Sequence, residues 1–173
     1  MPLTLVLGGA RSGKSRYAET LASNTAQTVI YVATAQVHDA AIEKRVALHK
    51  DSRPAEWQTV ESPLQLASTL ESLAHDKVTL LVDCLTMWVT NCLCAEDNIL
   101  ISQEIDAFKK VLPTLSGDII LVSNEVGLGV IPMGELTRDY VDTAGKLHQD
   151  IAAQADNVVM VVSGLPMAFK GVV

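Results

Sequence analysis

Cysteine is scarce in this chain. Cys84, Cys92 and Cys94 are the only three, and their spacing matches no zinc-binding pattern. An odd number without a secretory leader suits reduced thiols in a cytosol, and a cytoplasmic protein is expected. Cys92 and Cys94 lie in a mostly apolar segment and are expected to be small buried hydrophobes. No basic stretch precedes the first apolar residues, so no signal peptide is expected. Long hydrophobic runs are also missing. The longest are strand-sized, such as Asn157 to Val162, far short of the roughly 20 residues of a membrane span. Positive charge is in deficit: the net charge of −7 excludes a general nucleic-acid surface. It leaves room for a nucleotide, which needs only local positive charge. With no linker, low-complexity tract or internal repeat, residues 1–173 are expected to form one domain with a full core.

What is present is an alternation of strand and helix patterns. Strands are expected from Leu3, over Thr28 to Ala33, Trp57 to Glu61, Val78 to Asp83, Asp118 to Ser123, and Asn157 to Ser163. Helical stripes are expected over Arg16 to Ala22, Asp39 to Lys50, Pro63 to Ala74, Leu85 to Leu93 and Glu135 to Ala155. A further helix carries Ile105, Phe108 and Leu112, with Ser102 as its N-cap. Glu96-Asp-Asn98 reads as a polar break. Such alternation implies an α/β fold, a mostly parallel sheet with helices on both faces. Ligands then bind beyond the carboxyl ends of the strands, which collects the loops after Leu7, Ala33, Glu61, Asp83 and Ser123 on one edge.

The strongest motif follows the first strand. Gly8-Gly9-Ala10-Arg11-Ser12-Gly13-Lys14-Ser15 is a complete phosphate-binding loop between a strand and a helix. Its glycines let successive N–H groups face one anion. Lys14 can reach the β- and γ-phosphates, and Ser15 can ligate Mg²⁺. The helix that follows turns its N-terminus to the same phosphates.

Other positions carry weaker signals. Asp83 ends an apolar strand, where a carboxylate can hold Mg²⁺ opposite Ser15 or cap the following helix. Between Glu43 and Pro54, Lys44, Arg45, Lys50 and Arg53 gather around His49, with Arg45 one helical turn before it. The cluster suits a triphosphate and would keep the imidazole neutral and nucleophilic; it also suits a solvated basic helix end. Glu61 can bind a ribose hydroxyl, a base edge or a metal, or can sit as a carboxylate near a helix start. Ser123-Asn-Glu125-Val-Gly127-Leu-Gly129 can line a substrate pocket or form a structural turn. His38, His75 and His148 read as ordinary surface or helix residues.

Together these segments resemble the bifunctional adenosylcobinamide kinase/adenosylcobinamide-phosphate guanylyltransferase family of cobalamin biosynthesis. The resemblance spans essentially the whole chain. It rests on the loop, on Tyr31-Val-Ala-Thr-Ala35, and on Arg45-x-x-x-His49-Lys50-Asp51-Ser52-Arg53-Pro-x-x-Trp57. Leu81-Val-Asp-Cys-Leu-Thr86, Val122-Ser-Asn-Glu-Val-Gly127 and Ser163-Gly-Leu-Pro166 complete it. The loop alone is shared by many NTPases; the histidine segment and the Ser-Asn-Glu-Val-Gly run are more specific. The resemblance implies a RecA-like P-loop domain that phosphorylates adenosylcobinamide with ATP or GTP. It then transfers GMP from GTP to adenosylcobinamide phosphate through a guanylylated histidine, which matches His49. Some members carry a second histidine beside the reactive one; this chain has Leu48 there. Nucleotide contacts implied by the resemblance are residues 8 to 15, Ala33, Thr34, Ala35, Lys50, Asp51, Ser52, Arg53, Glu61 and Asp83. A homo-oligomer, a trimer, is also implied. Two competing readings are another small-molecule P-loop kinase with His49 incidental, and a regulatory nucleotide-binding module.

Overall fold

Among the described residues, seven strands form one sheet. They are β1 (Leu3–Gly8), β2 (Thr28–Ala33), β3 (Gln58–Glu61), β4 (Val78–Asp83), β5 (Asp118–Asn124), β6 (Asn157–Val162) and β7 (Leu165–Lys170). The helices are α1 (Lys14–Asn24), α2 (Leu66–Leu73), α3 (Leu85–Leu93), α4 (Leu100–Val111) and α5 (Glu135–Gln154). The computed structural model describes residues 2–36, 54–95 and 100–172. The helix expected over Asp39 to Lys50 and the break at Glu96 to Asn98 lie outside the described residues.

The strand order is β3-β2-β4-β5-β1-β6-β7. All neighbours run parallel except β6 and β7. Strands covered on both faces must be apolar nearly throughout, and β4 is buried from Val78 to Val82. Alternation decides which face each residue serves. Leu80 and Val82 join Leu5, Leu121, Trp88, Phe108, Leu147 and Ile151 beneath α2 to α5. Leu81 points the other way and meets Val6, Val122 and the small Ala18 and Ala22 of α1. Those alanines let α1 lie close to the sheet, which brings its first turn to the end of β1.

Two helix starts differ from expectation. The helix expected from Pro63 begins at Leu66. The carbonyl of Pro63 accepts Asn91 Nδ2 at 3.0 Å and that of Leu64 accepts Trp88 Nε1 at 2.7 Å. Tertiary donors from α3 occupy these groups in place of a helical ladder. Ser102 is not an N-cap but lies inside α4, which starts at Leu100. Ile101 and Ile105 both pack on the core, and that burial carries the helix back past the serine. Cys92 is buried as expected, whereas Cys94 is exposed at the end of α3. Burial pushes the Cys92 thiol up to about 12, so it is inert at neutral pH.

β7 was not expected. Val162 pairs with Leu165 across Ser163 (φ 52°) and Gly164 (φ 82°), a two-residue hairpin turn with both central residues left-handed. Pro166 argues against a strand by sequence, but it is tolerated because β7 is an edge.

Trp88 is fully buried and packs on Phe108 with ring centroids 5.1 Å apart. Trp88→Ala also leaves the Leu64 carbonyl with the Leu66 N–H alone. It is expected to cost about 3–5 kcal/mol, read as a shift in the urea midpoint.

Candidate functional site

The loop between β1 and α1 is shaped by contacts that leave no room for side chains. A Cβ on Gly8 would run into the Ser12 side chain and lie 2.7 Å from the Val161 carbonyl oxygen. Gly13 precedes α1 with φ +96°, and a Cβ there would come within 3.2 Å of Gly164 Cα. The β6–β7 turn therefore abuts the loop, and Gly164 N–H donates to the Ser12 carbonyl at 2.7 Å. Sequence reading marked Ser163 to Pro166 only as part of the resemblance; its placement against the loop comes from the fold. Gly9, Ala10 and Arg11 span the loop's turn, with Arg11 left-handed at φ 56°. Lys14 Nζ rests 3.3 Å from the Gly9 carbonyl oxygen, folded back over the loop. The first turn of α1 contains no acidic residue, so its unpaired N–H groups and positive dipole end face the loop unopposed. Among the described residues, Ser12 Oγ is buried without a hydrogen-bond partner, as is Asn124 Oδ1, whose residue pairs with Gly8 across β5 and β1. Orphaned polar atoms of this kind are costly and mark a place a ligand can complete.

Asp83 ends β4, half-buried, and Tyr31 donates its hydroxyl proton to Asp83 Oδ2 at 3.0 Å. The residue preceding α3 is Cys84, and no side chain caps that helix. The capping role considered for Asp83 is therefore not the one it plays. The adjacent thiol of Cys84 is pushed up to about 11 by burial and then by the Asp83 charge, with Lys14 acting weakly in the other direction.

Thr34 is fully buried. Its hydroxyl donates to the Cys84 carbonyl at 2.7 Å and accepts the Cys84 N–H at 2.9 Å. Asn91 Nδ2 donates to the Thr34 carbonyl at 2.8 Å. In this structure Thr34 clamps the end of β2 to the end of β4, between Ala33 and Ala35. Glu61 is exposed at the end of the outer strand β3, paired in register with Ala33. It stands four strands from β1, roughly 19 Å at about 4.8 Å per strand. His49, Arg45, Lys50, Asp51, Ser52 and Arg53 lie outside the described residues.

The run after β5 carries a polar network. Ser123 is buried; its Oγ lies 3.4 Å from Thr86 Oγ1, which accepts the Asn124 N–H at 2.8 Å. Glu125 N–H donates to the Gly8 carbonyl at 3.0 Å. His148 was expected to be an ordinary helix residue. It is instead buried on α5, with Nε2 2.8 Å from Ser123 Oγ. Its spacing on α5, one turn from Ala144 and next to Leu147, was the available signal, since those are core positions.

Among the described residues, no group of three or more His, Cys, Asp and Glu could hold a metal ion. No helix among them is long and apolar enough to cross a membrane.

Comparison with known proteins agrees with this architecture and extends it. Residues 4–169 match the family model described as cobinamide kinase / cobinamide phosphate guanyltransferase. The chain is 54% identical over 167 residues to the bifunctional adenosylcobalamin biosynthesis protein CobP of Pseudomonas aeruginosa, covering 96% of each. It is 39% identical to the bifunctional adenosylcobalamin biosynthesis protein CobU of Salmonella typhimurium, covering 97% of this chain and 99% of that one. Among solved structures, the flagellar accessory protein FlaH of Methanocaldococcus jannaschii is similar, with TM-score 0.52 and 16% identity. That alignment covers 98% of this chain and 78% of FlaH. The type III secretion ATPase EscN of enteropathogenic E. coli aligns with TM-score 0.57 and 13% identity, over 94% of this chain and 43% of EscN. These two likenesses concern the fold alone. A near full-length family match, carried on a phosphate loop shaped as described, places the chain in the cobinamide kinase / cobinamide phosphate guanyltransferase family.

Proposed function

We propose that this bifunctional enzyme of adenosylcobalamin biosynthesis runs both reactions from a nucleoside triphosphate held on the Gly8–Ser15 loop. In the first, ATP or GTP phosphorylates the hydroxyl of the aminopropanol arm of adenosylcobinamide. In the second, GMP passes from GTP to that phosphate by way of His49, giving adenosylcobinamide-GDP and pyrophosphate. The observation that carries the nucleotide site is the loop itself: Gly8 leaves no space for a Cβ, Gly13 holds a left-handed φ of +96°, and Lys14 lies ready over it. Phosphoryl transfer depends on positioning and charge neutralisation, which the loop N–H groups, the α1 dipole and Lys14 supply. Attack at the α-phosphorus is a different displacement. A histidine nucleophile divides it into two steps and keeps the energy of the phosphoanhydride. Neither competing reading, another P-loop kinase or a regulatory module, gives such a residue a role.

Ser15 and Asp83 offer a hydroxyl and a carboxylate, the hard oxygen donors that Mg²⁺ takes, with water and phosphate completing its shell. Tyr31 occupies one lone pair of Asp83 and a carboxylate has about four, so the donor set fits. The ion would neutralise charge between the β- and γ-phosphate oxygens. Asp83→Asn should accordingly raise the Mg²⁺ concentration needed for half-maximal rate about tenfold or more and leave the melting temperature little changed. An unaltered Mg²⁺ titration would return Asp83 to a structural role.

Glu61, Ala33 and Ala35 are read as contacts to the nucleoside, away from the loop, and Lys50 to Arg53 as contacts to phosphate; Thr34, fully buried, is corrected from a nucleotide contact to the clamp that holds its neighbours in place. Leu165, Met167 and Phe169 on β7, with Leu128 and Ile131 before α5, expose large apolar surface. That surface supports a homo-oligomer, read as a trimer and checked by light scattering. Free thiols support a cytoplasmic location. The decisive assay supplies GTP labelled at the α- or the γ-position, with and without adenosylcobinamide. A γ-labelled phosphate product followed by an α-labelled GDP product is expected. Plain hydrolysis with no labelled corrinoid would refute the reading.

A further inference from the structure

Glu125 and His148 form a pair that nucleotide binding does not account for. His148 keeps only 7% of its surface exposed. Its Nε2 meets Ser123 Oγ at 2.8 Å. Its Nδ1 is buried with no hydrogen-bond partner and lies 3.7 Å from Glu125 Oε2. A buried ring nitrogen left unsatisfied is costly unless another state of the molecule uses it. Burial lowers the imidazole's proton affinity, with the Glu125 charge pulling the other way. A neutral ring that donates through Nε2 presents a lone pair at Nδ1, and one that accepts there from the Ser123 hydroxyl points an Nδ1–H at Glu125. Either way Nδ1 and the carboxylate oxygen stand 3.7 Å apart across a gap that a proton can bridge.

Glu125 is also tied to the phosphate loop. Its N–H donates to the Gly8 carbonyl at 3.0 Å, which stitches the residue to the start of the phosphate loop. Its Oε1 accepts the Gly127 N–H at 2.6 Å, which fixes the carboxylate's orientation. Behind His148, Ser123 and Thr86 join the end of β5 to the first turn of α3, next to Asp83. The attacking group in the phosphorylation step is an alcohol, and its proton needs an acceptor within reach of the loop. Lys14 and Arg11 are cations, and Asp83 serves Tyr31 and the metal.

Building on the two-step reading above, we propose that Glu125 accepts the proton of the acceptor hydroxyl during phosphoryl transfer, with His148 as the positioning residue behind it. The hydroxyl oxygen forms its bond to the γ-phosphorus. The bond from that phosphorus to the bridging oxygen breaks, and its electron pair leaves with the nucleoside diphosphate. The hydroxyl proton passes to Glu125 Oε2, is shared with His148 Nδ1, and returns to water on product release.

The test separates the two steps. Glu125→Gln keeps an amide oxygen for the Gly127 N–H, so the loop is retained. With adenosylcobinamide and γ-labelled GTP, its kcat should fall about 10²–10⁴-fold with little change in KM for the nucleotide. Guanylyl transfer to adenosylcobinamide phosphate supplied directly should change far less, because that acceptor oxygen carries no proton to remove. His148→Gln places an amide where Nε2 stood, keeps the Ser123 contact and deletes Nδ1. It should retain the wild-type melting temperature yet lower the phosphorylation kcat about tenfold. Glu125→Asp, which preserves the carboxylate, should recover part of the rate lost in Glu125→Gln. Wild-type phosphorylation by Glu125→Gln, or equal loss of both steps, would overturn the assignment to Glu125. A silent His148→Gln would show that His148 only props Ser123. Wild-type protein that makes neither labelled product would remove the two-step reading itself, and this inference with it.

Discussion

Lys14→Ala lowers the turnover of both reactions by about 10²–10³-fold, the size of effect seen when one preorganised donor to a developing charge is removed. Both steps should fall together because the proposed function seats the triphosphate of each on this loop. Lys14 Nζ rests on the Gly9 carbonyl oxygen at the surface of the loop, not in the core. Truncating it leaves the Ala18 and Ala22 contacts beneath α1 intact. The cost therefore falls on charge neutralisation and not on the fold. A thermal melt close to wild type, combined with steady-state rates for each labelled product, checks the result. Normal turnover of both reactions in folded Lys14→Ala protein would sink the assignment of the loop.

His49→Asn abolishes the second reaction and spares much of the first. Removing a covalent nucleophile lowers turnover by about 10⁴-fold or more, so adenosylcobinamide-GDP should fall to background. Incubation of the wild-type chain with α-labelled GTP should leave an acid-labile, base-stable mark on His49, as a phosphoramidate does, and the variant should carry none. Phosphorylation of adenosylcobinamide should persist, since it draws on the loop and not on this imidazole. Following labelled adenosylcobinamide through both steps in the variant gives the answer directly. Continued formation of adenosylcobinamide-GDP at the normal rate would rule out an obligatory role for His49. The contrast with Glu125→Gln is instructive: one substitution should stop the second step, the other the first.

Much of this was legible in the sequence, and the reason is local. The phosphate loop declares itself because strand, glycine spacing and helix are contiguous, and the backbone conformation that cradles an anion is a property of those residues. Strands β1, β2, β4, β5 and β6 were legible as apolar runs because burial on both faces demands them. The end of β4 put Asp83 on the ligand edge by the same logic, but whether it capped a helix or faced the site could not be read. Cys84 taking the position before α3 rules out the cap. β7 stayed hidden because an edge strand needs neither alternation nor freedom from proline, and what makes it a strand is its partner β6. Ser102 and Pro63 misled for a related reason: capping and first-turn preferences are worth about 1 kcal/mol, less than the burial of Ile101 and the contacts made by Asn91 and Trp88. His148 and Glu125 stand 23 residues apart in sequence. Nothing near either marks the other, and only the docking of α5 against the end of β5 sets an imidazole nitrogen opposite a carboxylate. Chemistry carried by consecutive residues was written in the chain; chemistry carried by side chains from different elements was decided by packing, because their separation is fixed by the whole core and not by any segment of it.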